Sequence, residues 1–391
     1  MQTAKQLSAA PRISEPELNK ARELAVSLIR EKLDDYTEYF PDSNSRDQFY
    51  PQTDNVEWTT GFWTGQIWLA YETTGEECFK QAGNIQVESF LQRIIKHQDV
   101  DHHDMGFLYS PSCVAAWQLT GNRAAREAAL LAADNLMNRF QEKGQFFQAW
   151  GTIGAADNYR LIIDCLLNMP LLFWAAAETG RTVYKEKAVA HITTAMQLLI
   201  RPDHSTYHTY FFDPETGLPV RGVTHQGNRD GSAWSRGQAW GIYGAAMAYR
   251  YVRNEAYIEI FEKVTSFFLE HLPADLVPYW DFDFDDGSPE PRDSSAAAIA
   301  ACGMLEMARY LPEEKAGYYQ DMASRLMHAL WQHCAVRDSN ISNGLLLHGT
   351  YARDSADNPC TNRGVDECNT WGDYYYLEGL TRLLTDWKPY W

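Results

Sequence analysis

The chain has 391 residues with 45% hydrophobic residues, so it is long enough to bury a large core in one big domain or in two or three ordinary ones. Its formal net charge of -18 argues against a nucleic-acid binder, because an acidic surface repels phosphates. The seven cysteines are odd in number and form no CxxC pair, which predicts reduced thiols and neither a disulfide framework nor a zinc ribbon. We find no apolar run long enough for a signal peptide or a membrane span, so we expect a cytoplasmic protein that binds neither nucleic acid nor membrane.

Two kinds of helix alternate along the chain. The first opens at Ser14 and carries its apolar residues on one face, as a surface helix does. The next begins near Phe62, is apolar almost all round, and stops at Gly75, which is typical of a buried helix. The same alternation then recurs. Further amphipathic segments are predicted near 77–98, 122–142, 183–200, 254–271 and 313–334, and further apolar helices are predicted to begin near Ser110, Asn158, Ala233, Asp293 and Thr370.

Six such pairs predict an all-α fold, an (α/α)6 barrel in which six inner helices ring an axis and six outer helices cover them. We expect a single catalytic domain over 1–391, with 1–13 as a loosely ordered N-terminal segment. Connections from an inner helix to the next outer helix are short, and the opposite connections are long. Because the long connections all fall on one rim of such a barrel, we expect the functional site there. They are 37–60, 99–109, 143–157, 201–232, 272–292 and 335–369.

Arg236 and Trp240 lie one turn apart on the same face of a predicted inner helix. A planar guanidinium can pair with a carboxylate, and an indole can stack on a sugar ring. The pair therefore suits an acidic carbohydrate, although ordinary core packing explains the segment equally well.

Asp164 stands among apolar residues, about two turns into the helix predicted from Asn158. Burial raises the pKa of a carboxyl group, which is what a general acid near neutral pH requires. The alternative is a buried Asp that hydrogen-bonds to its neighbours. Asp104 precedes another inner helix and is either a carboxylate at the cavity mouth or a helix cap. If Asp104 and Asp164 face one another, the ionised member raises the pKa of the other, and an acid/base pair results.

His102, His103 and Asp104 also invite a metal site. Adjacent residues rarely face one ion, however, and no HExxH or similar ligand pair completes the set. We therefore expect no metal.

Several motifs occur together and in order from about residue 50 to the C-terminus. They are His-His-Asp104-Met-Gly-Phe-Leu-Tyr, Ile-Ile-Asp164-Cys-Leu-Leu-Asn-Met-Pro, Thr-His-Gln226-Gly, Trp-Ser-Arg236-Gly-Gln-Ala-Trp240, Arg292-Asp-Ser-Ser-Ala-Ala-Ala-Ile-Ala and Gly364-Val-Asp-Glu-Cys-Asn-Thr-Trp-Gly-Asp. Together they resemble the unsaturated glucuronyl hydrolases, family 88 of the glycoside hydrolases. The likeness implies an (α/α)6 barrel, in agreement with the count of helix pairs.

The resemblance also implies an unusual reaction. Enzymes of this family hydrate the 4,5 double bond of an unsaturated uronic acid, which polysaccharide lyases leave at the non-reducing end of di- or oligosaccharides. By this likeness Asp164 is the general acid/base, while Asp104 holds ring hydroxyls and stabilises developing charge. No cofactor is implied. The alternatives are an unsaturated rhamnogalacturonyl hydrolase, a sugar epimerase of the same fold, and a glycan-binding protein without activity.

The same resemblance assigns the substrate contacts and leaves the sulfation preference open. Trp58, Phe62, Trp150 and Trp240 are expected to form stacking walls, and His103, His208, Gln226 and Arg236 are expected to form polar contacts. In the segment 352–367, Ser355, Thr361 and Arg363 are candidate contacts to a sulfate or a second sugar, whereas Asp354 and Asp357 would oppose a sulfate. We expect the protein to be a monomer or a weak homo-oligomer.

Overall fold

The computed structural model describes residues 9–391, in which outer and inner helices alternate along the chain. The outer helices are α1 (Glu15–Tyr36), α3 (Glu77–Ile95), α5 (Arg123–Met137), α7 (Thr182–Leu198), α9 (Ala256–Glu270) and α11 (Glu313–His333). The inner helices are α2 (Thr60–Thr74), α4 (105–120, with a π-helical turn at Ser110–Val114), α6 (Met169–Thr179), α8 (Ser235–Val252), α10 (Ser294–Ala308) and α12 (Thr370–Leu384). These six pairs confirm the predicted (α/α)6 barrel.

Side-chain size and polarity distinguish the two layers. Every residue of the inner helix α10 is buried, and its many alanines allow neighbouring helices to approach closely. The outer helix α5 instead buries one face, formed by residues at helical spacing from Ala125 to Leu136. Inner helices are therefore apolar all round, and outer helices are amphipathic, as the sequence predicts.

Three inner helices end in the same way. Gly75, Gly121 and Gly180 follow α2, α4 and α6 with φ values of 71°, 68° and 74°. A left-handed residue at this position closes the helix by a backbone hydrogen bond, and glycine adopts it without steric cost. The tight ending lets the chain turn at once into the next outer helix.

The long connections carry nine short strands, all paired antiparallel. They are β1 (Phe40–Pro41), β2 (Gln52–Thr53), β3 (Phe140–Gln141), β4 (Phe146–Phe147), β5 (Arg160–Ile162), β6 (Thr209–Phe212), β7 (Pro219–Val223), β8 (Gly349–Ala352) and β9 (Arg363–Glu367). Strands β5, β6 and β7 form one sheet, and β8 and β9 form a hairpin.

The predicted start of one inner helix at Asn158 is wrong. Residues Arg160–Ile162 pair with β6 as a strand, and Asp164 lies in the 3-10 turn Ile163–Leu167 that follows. The α-helix begins only at Met169, with Pro170 in its first turn, a position that proline favours. Asp164 therefore lies before the helix, where its side chain is nearer the rim than a position two turns inside the helix would allow.

The first eight residues of the predicted loose segment 1–13 lie outside the described part of the chain. At its other end, Ile13 is buried and its amide donates to the carbonyl of Ser324 over 3.2 Å, so this end is fixed. All seven cysteines are free, as predicted. Among residues 9–391, no helix combines the length and the apolar character needed to cross a membrane.

Candidate active site

A cavity of about 250 Å³ opens on the rim where the long connections meet. Five of the six long connections contribute to its walls, so side chains far apart in the sequence converge here. The lining residues are Trp58, His103, Asp104, Trp150, Asp164, His225, Gln226 and Tyr351.

Two carboxylates and one imidazole meet inside this cavity. His103 Nε2 lies 3.4 Å from Asp104 Oδ1 and 3.5 Å from Asp164 Oδ1. The His103 side chain is 1% exposed, whereas Asp164 keeps 16% of its side-chain surface exposed. Among residues 9–391, three or more side chains of the kinds that bind metals come together only here.

A close backbone contact brings the two carboxylates together. A Cβ atom at Gly106 would lie 2.3 Å from the Asn168 Cα, so the chain can pack this tightly only without a side chain at 106. The amide of Phe107 donates to Asn168 Oδ1 over 2.8 Å. The start of α4, which follows Asp104, is thus joined directly to the end of the turn that carries Asp164.

The surroundings shift the pKa values of the two carboxyl groups in opposite directions. Burial, and then the charge of Asp104, raises the pKa of Asp164 well above its ordinary value. Burial alone would raise the pKa of Asp104 as well, but its contacts with His103, His102 and Asn168 lower it. Burial also lowers the pKa of His103 to about 4, so this imidazole is uncharged near neutral pH. The opposite shifts therefore favour the protonated form of Asp164 beside the ionised form of Asp104.

The structure supports neither a helix cap at Asp104 nor a thiol nucleophile at Cys165, which follows Asp164 in the sequence. Asp104 directly precedes α4, but its side chain makes no capping hydrogen bond. Burial raises the pKa of the neighbouring Cys165 thiol well above its ordinary value, which makes it a poor nucleophile.

Aromatic side chains form the cavity walls. Trp58 stacks on Trp371 with ring centroids 5.1 Å apart, and its Nε1 donates to the Tyr351 hydroxyl over 2.9 Å. The Arg160 guanidinium lies 4.4 Å from the centre of the Trp150 ring. Rings held this firmly can receive the face of a sugar with little loss of side-chain entropy.

Three residues predicted as substrate contacts lie behind the wall. Phe62 and Trp240 are buried, and each packs against Phe107 at a centroid distance of 5.3 Å. His208 is buried too, and its Nδ1 accepts a hydrogen bond from the His225 amide over 3.1 Å. The structure places these side chains where they support the lining residues.

Arg236 is 1% exposed and is fully engaged with the protein. Its guanidinium pairs with Asp293 and donates to the carbonyls of Thr350 and Tyr351, each over 2.6 Å. Gln226 Nε2 donates to the same Tyr351 carbonyl over 2.9 Å. Both of these predicted polar contacts therefore hold the β8–β9 hairpin against the cavity.

The candidate contacts to a second sugar lie in or beside this hairpin. Ser355 Oγ donates to the Asn228 carbonyl over 2.5 Å, and Thr361 is exposed. Arg363 lies over the Tyr351 ring at 4.5 Å. The Arg363 guanidinium faces a second cavity, where it lies 3.4 Å from Glu57 and 3.9 Å from Asp42.

Two lining residues, His225 and Tyr351, were not identified from the sequence. His225 precedes Gln226 in a motif that was recognised, so adjacency was an available signal. Tyr351 lies on β8 in the longest connection, and no local pattern distinguishes it from the other tyrosines.

An (α/α)6 barrel with paired carboxylates in an aromatic-walled cavity defines a carbohydrate-active enzyme. The model of Glycosyl Hydrolase Family 88 matches residues 30–377, and the chain belongs to this family. It is 48% identical over 382 residues to the unsaturated chondroitin disaccharide hydrolase of Streptococcus pyogenes serotype M1, covering 97% of this chain and 94% of that protein.

Solved structures agree with this assignment. The unsaturated glucuronyl hydrolase of Streptococcus agalactiae superposes with a TM-score of 0.94 at 45% identity, covering 99% of this chain and 96% of that chain. An Asp-to-Asn mutant of the S. agalactiae enzyme, solved in complex with dGlcA-GalNAc6S, has a TM-score of 0.87 at 41% identity, covering 100% of this chain and 97% of that chain.

Proposed function

We propose that this chain is an unsaturated glucuronyl hydrolase acting on the unsaturated di- and oligosaccharides that lyases release from glycosaminoglycans. The observation that carries the proposal is the pair of carboxyl groups in one cavity, with His103 between them and with pKa shifts in opposite directions. The relatives support the substrate class, because the S. pyogenes protein is named for chondroitin disaccharides and the S. agalactiae enzyme was solved with dGlcA-GalNAc6S.

In the proposed reaction, the Asp164 carboxyl group donates its proton to C4 of the unsaturated ring. The resulting carboxylate takes a proton from water, and the water oxygen bonds to C5 to form a hemiketal. The hemiketal opens at the bond between C5 and the ring oxygen, which leaves a ketone at C5. The hemiacetal formed at C1 then releases the second sugar, so one water molecule is consumed overall.

Asp104 stays ionised in this scheme and has two roles. Its negative charge stabilises the positive charge that develops on C5 and the ring oxygen, and its carboxylate accepts hydrogen bonds from ring hydroxyls. His103 is uncharged and lies between the two carboxyl groups, where we assign it to a polar contact with the substrate.

The remaining predicted contacts divide into two groups. We assign Trp58 and Trp150 to stacking on the sugars, with Phe62, Trp240 and His208 supporting them from behind. We assign Gln226 and Arg236 to the substrate carboxylate. Gln226 and Arg236 both donate to the Tyr351 carbonyl. When substrate binds, their N–H groups must therefore donate to the substrate carboxylate as well as to this carbonyl, or in place of it.

Arg363 is our candidate for contact with a sulfate on the second sugar. Glu57 and Asp42 compete for its charge, and Ser355 is engaged with Asn228. A panel of unsaturated disaccharides that differ in linkage and sulfate position tests this assignment, with Arg363→Gln as the variant. We expect the variant to lose activity selectively on the sulfated substrates.

We also propose that the protein works in the cytoplasm, as one (α/α)6 domain and as a monomer or weak homo-oligomer. Seven free thiols suit a reducing compartment, and one continuous hydrophobic core supports one domain. Light scattering over a range of concentrations measures the oligomeric state.

The reaction itself is tested by the absorbance of the 4,5 double bond. We expect this absorbance to disappear at the rate at which the second sugar is released. An epimerase would leave the absorbance intact, and a glycan-binding protein would bind the disaccharide without consuming it. A rhamnogalacturonyl hydrolase would consume the double bond of pectin fragments and leave glycosaminoglycan disaccharides intact.

A further inference from the structure

Three of the polar side chains that line the cavity lie close enough together to hold one metal ion. His103 Nε2 lies 3.4 Å and 3.5 Å from one oxygen each of Asp104 and Asp164, and all three atoms lie within 4.8 Å of one another. Zinc bonds to imidazole and carboxylate ligands are about 2.0–2.2 Å long, which places neighbouring tetrahedral ligands roughly 3.3–3.5 Å apart. The two His103 distances match this edge length and are long for a hydrogen bond.

Neighbouring residues orient these ligand atoms and form few hydrogen bonds with them. Asp104 Oδ2 lies 3.1 Å from His102 Nδ1, which orients the carboxylate, and Oδ1 accepts a long hydrogen bond of 3.4 Å from Asn168 Nδ2. Asp164 Oδ1 has no hydrogen-bond partner although it is buried. The backbone amide of His103 donates to the Ala149 carbonyl over 2.8 Å, which fixes the residue that carries the imidazole.

The donor set selects a class of cation. One imidazole and two carboxylates suit first-row transition cations, whereas Mg²⁺ and Ca²⁺ prefer six or more oxygen ligands. Three protein ligands leave at least one coordination position that a water molecule can fill.

We propose that His103, Asp104 and Asp164 bind one first-row transition cation, with Zn²⁺ as the reference ion, and that the bound cation excludes the substrate. The cation would displace the Asp164 proton into solvent, bind both reacting carboxyl groups and fill part of a cavity of about 250 Å³. It is therefore an inhibitor and not a cofactor. The inhibition rests on the proposed function, but the binding of the cation does not.

Binding is measured first, without reference to activity. We titrate chelator-treated protein with Zn²⁺ in a calorimeter, and with Co²⁺ while recording the visible absorption that reports tetrahedral coordination. We expect one ion per chain. Asp104→Asn and Asp164→Asn keep the side-chain shape, and each should weaken binding by at least about tenfold, since loss of outer-shell partners alone costs that much.

Matched controls come from other donors on the surface. Cys78 is exposed, and His348 forms an exposed pair with Asp366 at 2.7 Å. We expect Cys78→Ser and His348→Asn to bind the ion as the unmodified chain does. Absence of binding, or binding lost in a control and retained in both Asp variants, would overturn the site.

Inhibition is measured second, on an unsaturated disaccharide. Zn²⁺ should raise KM and leave kcat unchanged, and chelator should restore full activity. Zn²⁺ that binds at these residues without affecting turnover would overturn the inhibitory role. A chain that binds Zn²⁺ at these residues but never consumes the double bond would instead refute the proposed function and leave the metal site standing.

Discussion

Two buried clusters of charge lie at opposite ends of the inner helices. At the end away from the rim, Glu306 and Glu378 are both fully buried, and Arg382 donates to each of them over 2.8 Å and 2.9 Å. The Tyr243 hydroxyl completes this cluster by donating to Glu378 over 2.6 Å. At the rim end, Asp104 and Asp164 share a cavity in which the nearest basic groups are two histidines.

The difference between the clusters shows that burial alone does not mark a catalytic carboxylate. Burial raises the pKa of Glu306, but Arg382 and Arg250 outweigh it, so the net shift is downward. For Asp164 no cation outweighs burial and the charge of Asp104, so the net shift is upward. A buried carboxylate without a matching cation costs stability, and such a cost indicates function.

The largest effect is expected for Asp164→Asn. The amide cannot donate and accept the proton as the carboxyl group does, so kcat should fall by about 10²–10⁴-fold, the usual contribution of acid/base catalysis. The thermal unfolding temperature should stay the same or rise, because an unpaired acidic group is removed. Double-bond absorbance and thermal unfolding measure the two effects, with Asp34→Asn, an exposed position on the outer helix α1, as the control. Turnover within tenfold of the unmodified chain would remove Asp164 from the acid role.

The opposite result is expected for Arg382→Met. This change leaves Glu306 and Glu378 buried without their main cation, which should lower the free energy of unfolding by about 3–5 kcal/mol. The cluster lies away from the cavity, so kcat should hardly change. Urea unfolding measures the loss, and Lys315→Met is the control because it breaks only the exposed pair with Glu262, which is worth about 1 kcal/mol or less. A large loss of kcat in a folded variant would contradict the division between the two clusters.

Gly106→Ala should affect both activity and stability. The new Cβ would lie 2.3 Å from the Asn168 Cα, so the backbones that carry Asp104 and Asp164 must move apart. Overpacking of this kind costs about 1–3 kcal/mol. A displacement near 1 Å at a catalytic group costs about 10²-fold in rate.

Gly317→Ala is the matched control for this change. It lies in the outer helix α11, and its Cβ would meet nothing within 4 Å. Alanine there should leave kcat unchanged and add up to about 1 kcal/mol of stability through helix propensity. Equal activities of the two glycine variants would show that the close approach at Gly106 is not needed for catalysis.

The layers of the fold were predictable because they depend on local patterns. Apolar residues repeat along each helix, and glycines such as Gly75 end the inner helices in a left-handed conformation. The local structure at Asp164 was not predictable in this way. Residues 160–162 pair with a strand about fifty residues away, and this non-local pairing overrides a sequence that otherwise favours a helix.

The site residues also divide into those with a local sequence signal and those whose position depends on non-local contacts. Asp164 was identifiable because a carboxylate among apolar neighbours is unusual in any sequence, and Asp104 was identifiable because it precedes an inner helix at the rim. Arg236 and Trp240 were recognised as a pair, but whether they face a ligand or the core depends on the hairpin that covers them. Tyr351 belongs to that hairpin and reaches the cavity only through tertiary contacts, so no local signal identified it.

The smallest expected effect is a shift in the pH profile of Asp104→Asn. The proposed reaction needs Asp104 ionised and Asp164 protonated, so kcat/KM should fall both at low pH and as pH rises through the pKa of Asp164. His103 has a pKa of about 4, so it does not contribute to the alkaline limb. Removing the Asp104 charge lowers the pKa of Asp164 and moves this limb to lower pH. Burial, the larger cause of the raised pKa, remains, so the shift should be partial. Exposed Asp34→Asn on α1 is the control. An alkaline limb that stays in place or moves upward in Asp104→Asn would show that the two carboxyl groups titrate independently.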